Sequence, residues 1–109
     1  MRLPRKFAVS LHADNLRLEH EGGVAFGGVY VWRAVRASNE NEAAALAARN
    51  LEQELRSRSE VLNDPAEPLG ISVEECGQLK WFSRWRGSAL VFYVDTDDPR
   101  NVGSPTRPE

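Results

Sequence analysis

A short segment near the C-terminus, Lys80-Trp81-Phe82-Ser83-Arg84-Trp85-Arg86-Gly87, mixes aromatic and basic residues. Aromatic rings such as Trp81 and Trp85 can stack on nucleic-acid bases, while Arg84 and Arg86 can neutralise phosphates. Tryptophan and arginine are also enriched at the energetic centres of protein–protein interfaces. The two tryptophans lie four residues apart, so they could equally be core residues of a short helical turn or lie at the end of a long hairpin. The segment therefore has a structural interpretation and two binding interpretations.

A second group, of three aromatic residues and a valine, falls on one side of two predicted strands. Its members are Tyr30, Trp32, Val91 and Tyr93. Exposed and contiguous aromatic surface usually marks a binding site. Three arrangements fit the sequence. The chain's own loops could cover the group, a second copy could pack on it, or it could serve as a platform for a ligand or nucleic acid.

The remaining reactive side chains form no recognisable catalytic or metal-binding pattern. His12, His20 and the nearby carboxylates suit zinc or manganese as ligand types, but their spacing matches no known metal motif. Cys76 could pair with His12 if the first and third strands were neighbours, although a lone cysteine is more often a small packed residue. We therefore predict no metal and no catalytic residue.

The glycine-rich stretch 22–28 could be mistaken for a phosphate-binding loop. Such a loop needs a strand before it and a helix N-terminus after it, because the helix supplies the aligned N–H groups. Here a charged run precedes the stretch and a strand follows it, which indicates a flexible hairpin connection. The chain also lacks the G-x-S-x-G pattern of a nucleophilic serine. We expect no cofactor, and we do not expect an enzyme.

Alternating apolar residues predict the strands that carry these groups, since a half-buried strand has a period of two. The stretch 13–28, polar and then glycine-rich, is expected to be a loop, and so is the proline-containing stretch 63–70. The four predicted strands cover residues 7–12, 29–37, 71–74 and 89–95.

One helix is predicted between the second and third strands, beginning after Asn39 and ending near residue 58. Asn39 can cap its N-terminus, and Glu42 stands at the position of a capping box. The apolar residues at helical spacing, which should face the core, are Ala44, Ala47, Ala48, Leu51 and Leu55. Because this face is mostly alanine, the helix can lie close to a sheet.

The resulting order, ββαββ, predicts an α+β domain with a mostly antiparallel sheet of about four strands and one long helix packed on one face. That arrangement leaves the second sheet face without an obvious cover. The residues expected there are Ser10, His12, Tyr30, Trp32, Ala34, Arg36, Glu74, Cys76, Val91 and Tyr93.

Length and composition limit the class of protein. A chain of 109 residues with 41% hydrophobic residues has the size and composition of one globular domain, which we place at residues 1–96, followed by a flexible tail at 97–109. The net charge of −2 produces no field that would attract nucleic acid or a membrane to the whole chain. Its single cysteine, Cys76, favours a reducing compartment, so we expect a cytoplasmic protein without a membrane partner.

These observations favour a small interaction module that binds protein, most simply a second copy of itself, through Tyr30, Trp32 and Tyr93. The alternative is a weak binder of single-stranded nucleic acid. It would use residues 80–86 for stacking and phosphate contacts, with further stacking on Tyr30 and Trp32 and further phosphate contacts from Arg33 and Arg36.

Overall fold

The computed structural model describes residues 4–80 and 82–102 of the chain. Its elements are β1 (Arg5–His20), β2 (Gly23–Ala37), α1 (Glu40–Ser57), β3 (Gly70–Gln78), β4 (Val91–Val94) and the short α2 (Pro99–Val102). The four strands form one antiparallel sheet in the order β3-β1-β2-β4, and α1 packs on one face of it. The predicted α+β architecture is confirmed.

The long hairpin of β1 and β2 occupies most of the region that was predicted to be a loop over 13–28, so that prediction is wrong. The two strands join at Glu21 and Gly22, which both have positive φ, 51° and 81°, as a tight two-residue turn requires. A bulge in β1 hides the strand pattern. Asn15 takes a left-handed conformation, so Ala13 and Leu16 are both buried although three positions separate them.

A second bulge, in β3, changes which face Cys76 occupies. Ser10 pairs with Glu75 and Leu11 pairs with Val73, so one extra residue lies between these two pairs. Cys76 therefore packs against the core on the helix side, and the prediction that places it on the opposite face is wrong. His12 pairs instead with Ser72, and no thiol–imidazole pair forms.

The helix α1 begins as its sequence predicts. The Asn39 side chain accepts a hydrogen bond of 2.8 Å from the Glu42 N–H, and the Glu42 carboxylate accepts one of 2.5 Å from the Ser38 N–H. Its buried residues are Ala43, Ala47, Leu51 and Leu55. Ala43, rather than the predicted Ala44, is the first buried residue, so the face is rotated slightly from the prediction.

The core lies between α1 and the sheet face that α1 covers, which we call the inner face. The opposite face is the outer face. Alternate residues of the two central strands supply most of the core, as the period of two requires. The strand residues buried there are Phe7, Val9, Leu11, Ala13, Leu16, Leu18, Ala25, Val29, Val31 and Ala37.

Residues 97–102 lie beside the N-terminal part of β2, near Phe26. The Asn101 side chain donates to the Phe26 carbonyl at 2.8 Å and accepts from the Phe26 N–H at 2.9 Å. Residues 103–109 of the predicted tail lie outside the described residues, so the flexibility of the tail stays a prediction. No helix within 4–80 and 82–102 is both long enough and apolar enough to cross a membrane.

Candidate functional site

The outer face carries the aromatic residues that the sequence singled out. In the sheet register Tyr30 pairs with His12 on β1 and with Val91 on β4, and Trp32 pairs with Ser10. Tyr30 remains 52% exposed and Trp32 36% exposed. The structure therefore presents them on the open side of the sheet, as predicted.

Three rings at the centre of this face stack on one another. The ring centroids of His12 and Tyr30 are 4.4 Å apart, those of Tyr30 and Tyr93 are 5.4 Å apart, and those of His12 and Tyr93 are 5.8 Å apart. His12 Nε2 and the Tyr93 hydroxyl share a hydrogen bond of 2.6 Å. His12 is not among the binding residues that the sequence predicts. The signal that could have identified it is its position opposite Tyr30.

Gly28 makes room for this cluster. The Tyr93 side chain crosses β2 above Gly28, where an added Cβ would lie 2.5 Å from the Tyr93 hydroxyl oxygen and 2.7 Å from its Cζ. The added Cβ would also lie against the Ala13 carbonyl oxygen, so no side chain fits there unless both the Tyr93 side chain and the β1 backbone move. Gly27 and Gly28 are thus strand residues that allow close approach, and the prediction that the whole glycine-rich stretch is a flexible connection is wrong.

The Tyr93 phenol is held in its neutral form. Burial raises its pKa above the ordinary value, and the neighbouring Tyr30, Asp14 and Asp95 raise it further. A neutral hydroxyl suits a hydrogen bond to His12 better than it suits attack on a substrate. The hydrogen bond between His12 and Tyr93 therefore involves a protonated phenol.

The segment 83–88 folds back beside Trp32. The Ser88 hydroxyl accepts from the Trp32 N–H at 2.9 Å, and the Ser88 N–H donates to the Trp32 carbonyl at 2.9 Å. This brings the Trp85 ring edge-on to the Trp32 ring, with centroids 5.9 Å apart. A small apolar cavity of about 240 Å³ lies between Ala8, Trp32, Leu79 and Trp85. Trp81 lies outside the described residues.

One end of the outer face is basic. A cavity of about 700 Å³ is lined by the cationic side chains of Lys6, Arg36, Arg84 and Arg86, and the lining contains no carboxylate. Lys6 Nζ donates to the Ser83 carbonyl at 2.7 Å. The structure thus brings the predicted Arg84 and Arg86 together with Arg36, and it adds Lys6, which the sequence did not indicate.

Arg33 does not join this group. Its guanidinium donates to the Glu54 carboxylate at 2.7 Å on the helix side and to the Ser88 carbonyl at 3.0 Å. The expectation that Arg33 would support a nucleic-acid surface on the outer face is therefore wrong, because successive strand residues point to opposite faces.

The other end of the outer face is acidic. Asp14 and Asp95 lie beside Tyr93 at a cavity of about 250 Å³, while Asp98, which also lines it, is neutralised by Arg100 at 2.7 Å. On β1 the outer positions from Lys6 to Asp14 precede the bulge, and the strand continues beyond it to His20. Between Lys6 and Asp14 the face is thus positive at one end, aromatic in the middle and negative at the other end.

No family model, curated protein or solved structure matches this chain. We therefore infer function from the geometry of the outer face.

Side chains with catalytic or metal-binding potential contribute little to that geometry. Burial raises the pKa of the Cys76 thiol, and the nearby Glu40 carboxylate raises it further, so the thiol stays protonated. In the part of the chain that the structure describes, no three His, Cys, Asp or Glu side chains are grouped to hold a metal ion.

Proposed function

We propose that this protein is an interaction module that associates with a second copy of itself through the outer face. The observation that carries the proposal is the distribution of charge on that face. On the central strands, aromatic and small residues separate a basic end from an acidic end. Open aromatic surface is costly to leave in water, and the two charged ends can each find a complement on an identical surface.

The charge pattern selects one way for two copies to meet. Two identical faces can pack about a two-fold axis in the interface that runs either along the strands or across them. An axis along the strands would place like charges together. An axis across the strands brings Lys6 and Arg36 of one copy onto Asp14 of its partner, with the row of Ser10 and Trp32 at the axis.

The size of the face sets the expected strength. From Lys6 to Asp14 the strands extend about 26 Å, and four strands span about 19 Å. Because β4 pairs only with Gly27–Tyr30, the flat footprint is below roughly 500 Å². Stable complexes bury about 800 Å² per partner, so the footprint lies below their usual size, where weak and transient interfaces are found. We therefore expect micromolar association.

Sedimentation equilibrium from micromolar to hundreds of micromolar protein tests the proposal. A monomer–dimer equilibrium is expected in this interval, and it should weaken when salt is raised, because the charged ends lie at the solvent-accessible rim. A monomer throughout would contradict self-association.

A second candidate function, binding of single-stranded nucleic acid, is supported by the basic cavity next to Trp85. Arg36, Arg84 and Arg86 form no ion pair within the described residues, and phosphates could supply the missing charge. Titration of tryptophan fluorescence with a mixed oligonucleotide tests this candidate. Quenching that fades steeply as salt rises supports it, and the absence of quenching at low salt excludes it.

A further inference from the structure

Four cationic side chains converge on the basic cavity without an anion to balance them. Five other arginines form ion pairs with carboxylates, and these are Arg17, Arg33, Arg56, Arg58 and Arg100. Around the basic cavity the described residues provide no such partner for Lys6, Arg36, Arg84 or Arg86. Grouped like charges repel one another, and a concave site concentrates their field on whatever enters it. The cavity is therefore suited to an anion.

Lys6 and Arg36 lie on the two central strands, and the segment that carries Arg84 and Arg86 is bonded to them. Lys6 and Arg36 face each other on β1 and β2, where they form a register pair. The Lys6 ammonium donates to the Ser83 carbonyl and so ties the segment that carries Arg84 to the sheet. The Ser83 hydroxyl accepts from the backbone N–H of Trp85 at 3.3 Å. These two bonds hold the backbone that carries Arg84 and Trp85 against the sheet.

An aromatic slot adjoins the cavity. Ala8 and Ala34 pair with each other across β1 and β2, and Ala34 lines the basic cavity while Ala8 lines the apolar cavity between Trp32 and Trp85. Two small side chains thus separate the cations from the indole rings. A ligand with a phosphate at one end and a flat ring at the other could occupy both cavities.

We propose that this pair of cavities binds a nucleotide unit, with its phosphate among Arg36, Arg84 and Arg86 and its base against Trp85 and Trp32. The proposal deepens the second candidate function and does not depend on self-association. Arginine recognises phosphate with paired N–H donors, and bases stack on indole rings. A free nucleotide and a nucleotide within a single strand carry the same recognised groups.

Calorimetry at low salt, at a protein concentration where sedimentation shows the monomer, compares three probes: pyrophosphate, adenosine monophosphate and a ten-residue oligothymidylate. We expect the nucleotide to bind and to quench tryptophan fluorescence. If the oligonucleotide binds more tightly per nucleotide than the monophosphate, a single strand is the source of the ligand. Equal affinity per nucleotide indicates a free nucleotide, and both results support the site.

Variants distinguish nucleotide binding at the basic cavity from binding elsewhere on the protein. The double variant Arg84→Gln/Arg86→Gln should weaken nucleotide binding about tenfold or more, because two charge-assisted contacts are lost. Arg49→Gln, which makes the same change at an exposed position of α1, should bind like the parent. Circular dichroism should show the same fold for all of them.

Three results would overturn the proposal. Pyrophosphate that binds as well as the nucleotide, without fluorescence quenching, would leave an anion site without a base site. An oligonucleotide that binds the double variant as tightly as the parent would preserve the nucleic-acid function and place it elsewhere on the protein. Absence of binding by all three probes would remove both the site and the second candidate function.

Discussion

The imidazole of His12 and the phenol of Tyr93 share a hydrogen bond of 2.6 Å across 81 positions of sequence. Their strands, β1 and β4, are not neighbours, because β2 lies between them. The Tyr93 side chain reaches His12 by passing above Gly28. This contact joins the short edge strand to the middle of the sheet, and it defines the centre of the outer face.

Gly28→Ala should reduce the free energy of unfolding by about 1–3 kcal/mol, the usual cost of forcing an extra methyl group into a packed site. The new methyl would meet the Ala13 carbonyl oxygen of β1 as well as the Tyr93 ring and hydroxyl, so both β1 and β4 would have to shift. Urea denaturation measures the change. Gly23→Ala is the matched control, because its Cβ would meet only the His20 carbonyl at 3.8 Å. Equal stability of the two variants would show that neither the Ala13 carbonyl nor the Tyr93 side chain limits the space at Gly28.

Stability should fall at high pH through Tyr93. Its pKa is raised in the folded protein, so the unfolded chain loses the phenolic proton first as pH increases. The protonated Tyr93 hydroxyl makes its full contribution to the free energy of unfolding below about pH 10, the ordinary pKa of tyrosine. This contribution is lost as pH rises from there through the raised pKa of the folded protein. Urea midpoints measured from neutral pH upward should therefore decline less in Tyr93→Phe than in the parent. Tyr30→Phe keeps the Tyr93 hydroxyl but removes one of the groups that raise its pKa, so its decline should lie between those of the parent and Tyr93→Phe.

Charge reversal tests the proposed orientation of the two copies. Arg36→Glu and Asp14→Lys should each weaken self-association several-fold, because each places like charges opposite one another. The double variant should recover most of the loss, since it exchanges the two signs. Sedimentation equilibrium reports the association constants, and Arg49→Glu on α1 controls for net charge. Failure of the double variant to recover would rule out the axis across the strands.

A two-fold axis across the strands also predicts that one substitution, at Glu75, should strengthen association. This residue pairs with Ser10, in the row that lies on the axis, so the Glu75 side chains of the two copies face each other. Glu75→Gln should therefore strengthen association by a few-fold, the modest effect expected of an exposed pair of like charges. Weaker association in this variant would contradict the arrangement.

Trp32→Ala should act mainly on association. Trp32 lies in the row at the axis and keeps 36% of its surface exposed, the position expected of an interface anchor. We expect a loss of about 2 kcal/mol of association free energy, typical of a central aromatic residue. The thermal midpoint of the parent should rise with protein concentration, and that of Trp32→Ala should rise much less. If neither quantity changes, Trp32 is not an anchor.

The sequence predicted the order of the elements because its signals there are local. Asn39 and Glu42 define the start of α1 through contacts within one turn, and the alternation of Phe7, Val9 and Leu11 is a property of one strand. Aromatic residues on the outer face followed from the same alternation. These parts of the fold need no knowledge of strand order.

The rest depended on contacts between distant residues and on two bulges. The left-handed Asn15 breaks the alternation of β1, which concealed the second half of the hairpin. The bulge in β3 moved Cys76 to the inner face. His12 meets Tyr93, and Lys6 meets the segment near Arg84, only after the sheet has formed, so no local pattern could indicate either group.

Asn101 has a consequence for the edge of the sheet. β4 pairs with β2 only from Gly27 to Tyr30, so the Phe26 N–H and carbonyl lie just beyond the last strand pair. The Asn101 amide bonds both groups, and it also donates to the Asp95 carbonyl at 2.7 Å. A chain shortened after residue 96 would keep every strand but would lose the hydrogen bonds that the Asn101 side chain makes to Phe26. The Phe26 carbonyl would keep its bond from the Asp95 N–H at 3.0 Å, but the Phe26 N–H would be uncovered. Because an unpaired N–H at a sheet edge can pair with another chain, we expect the shortened chain to aggregate more readily.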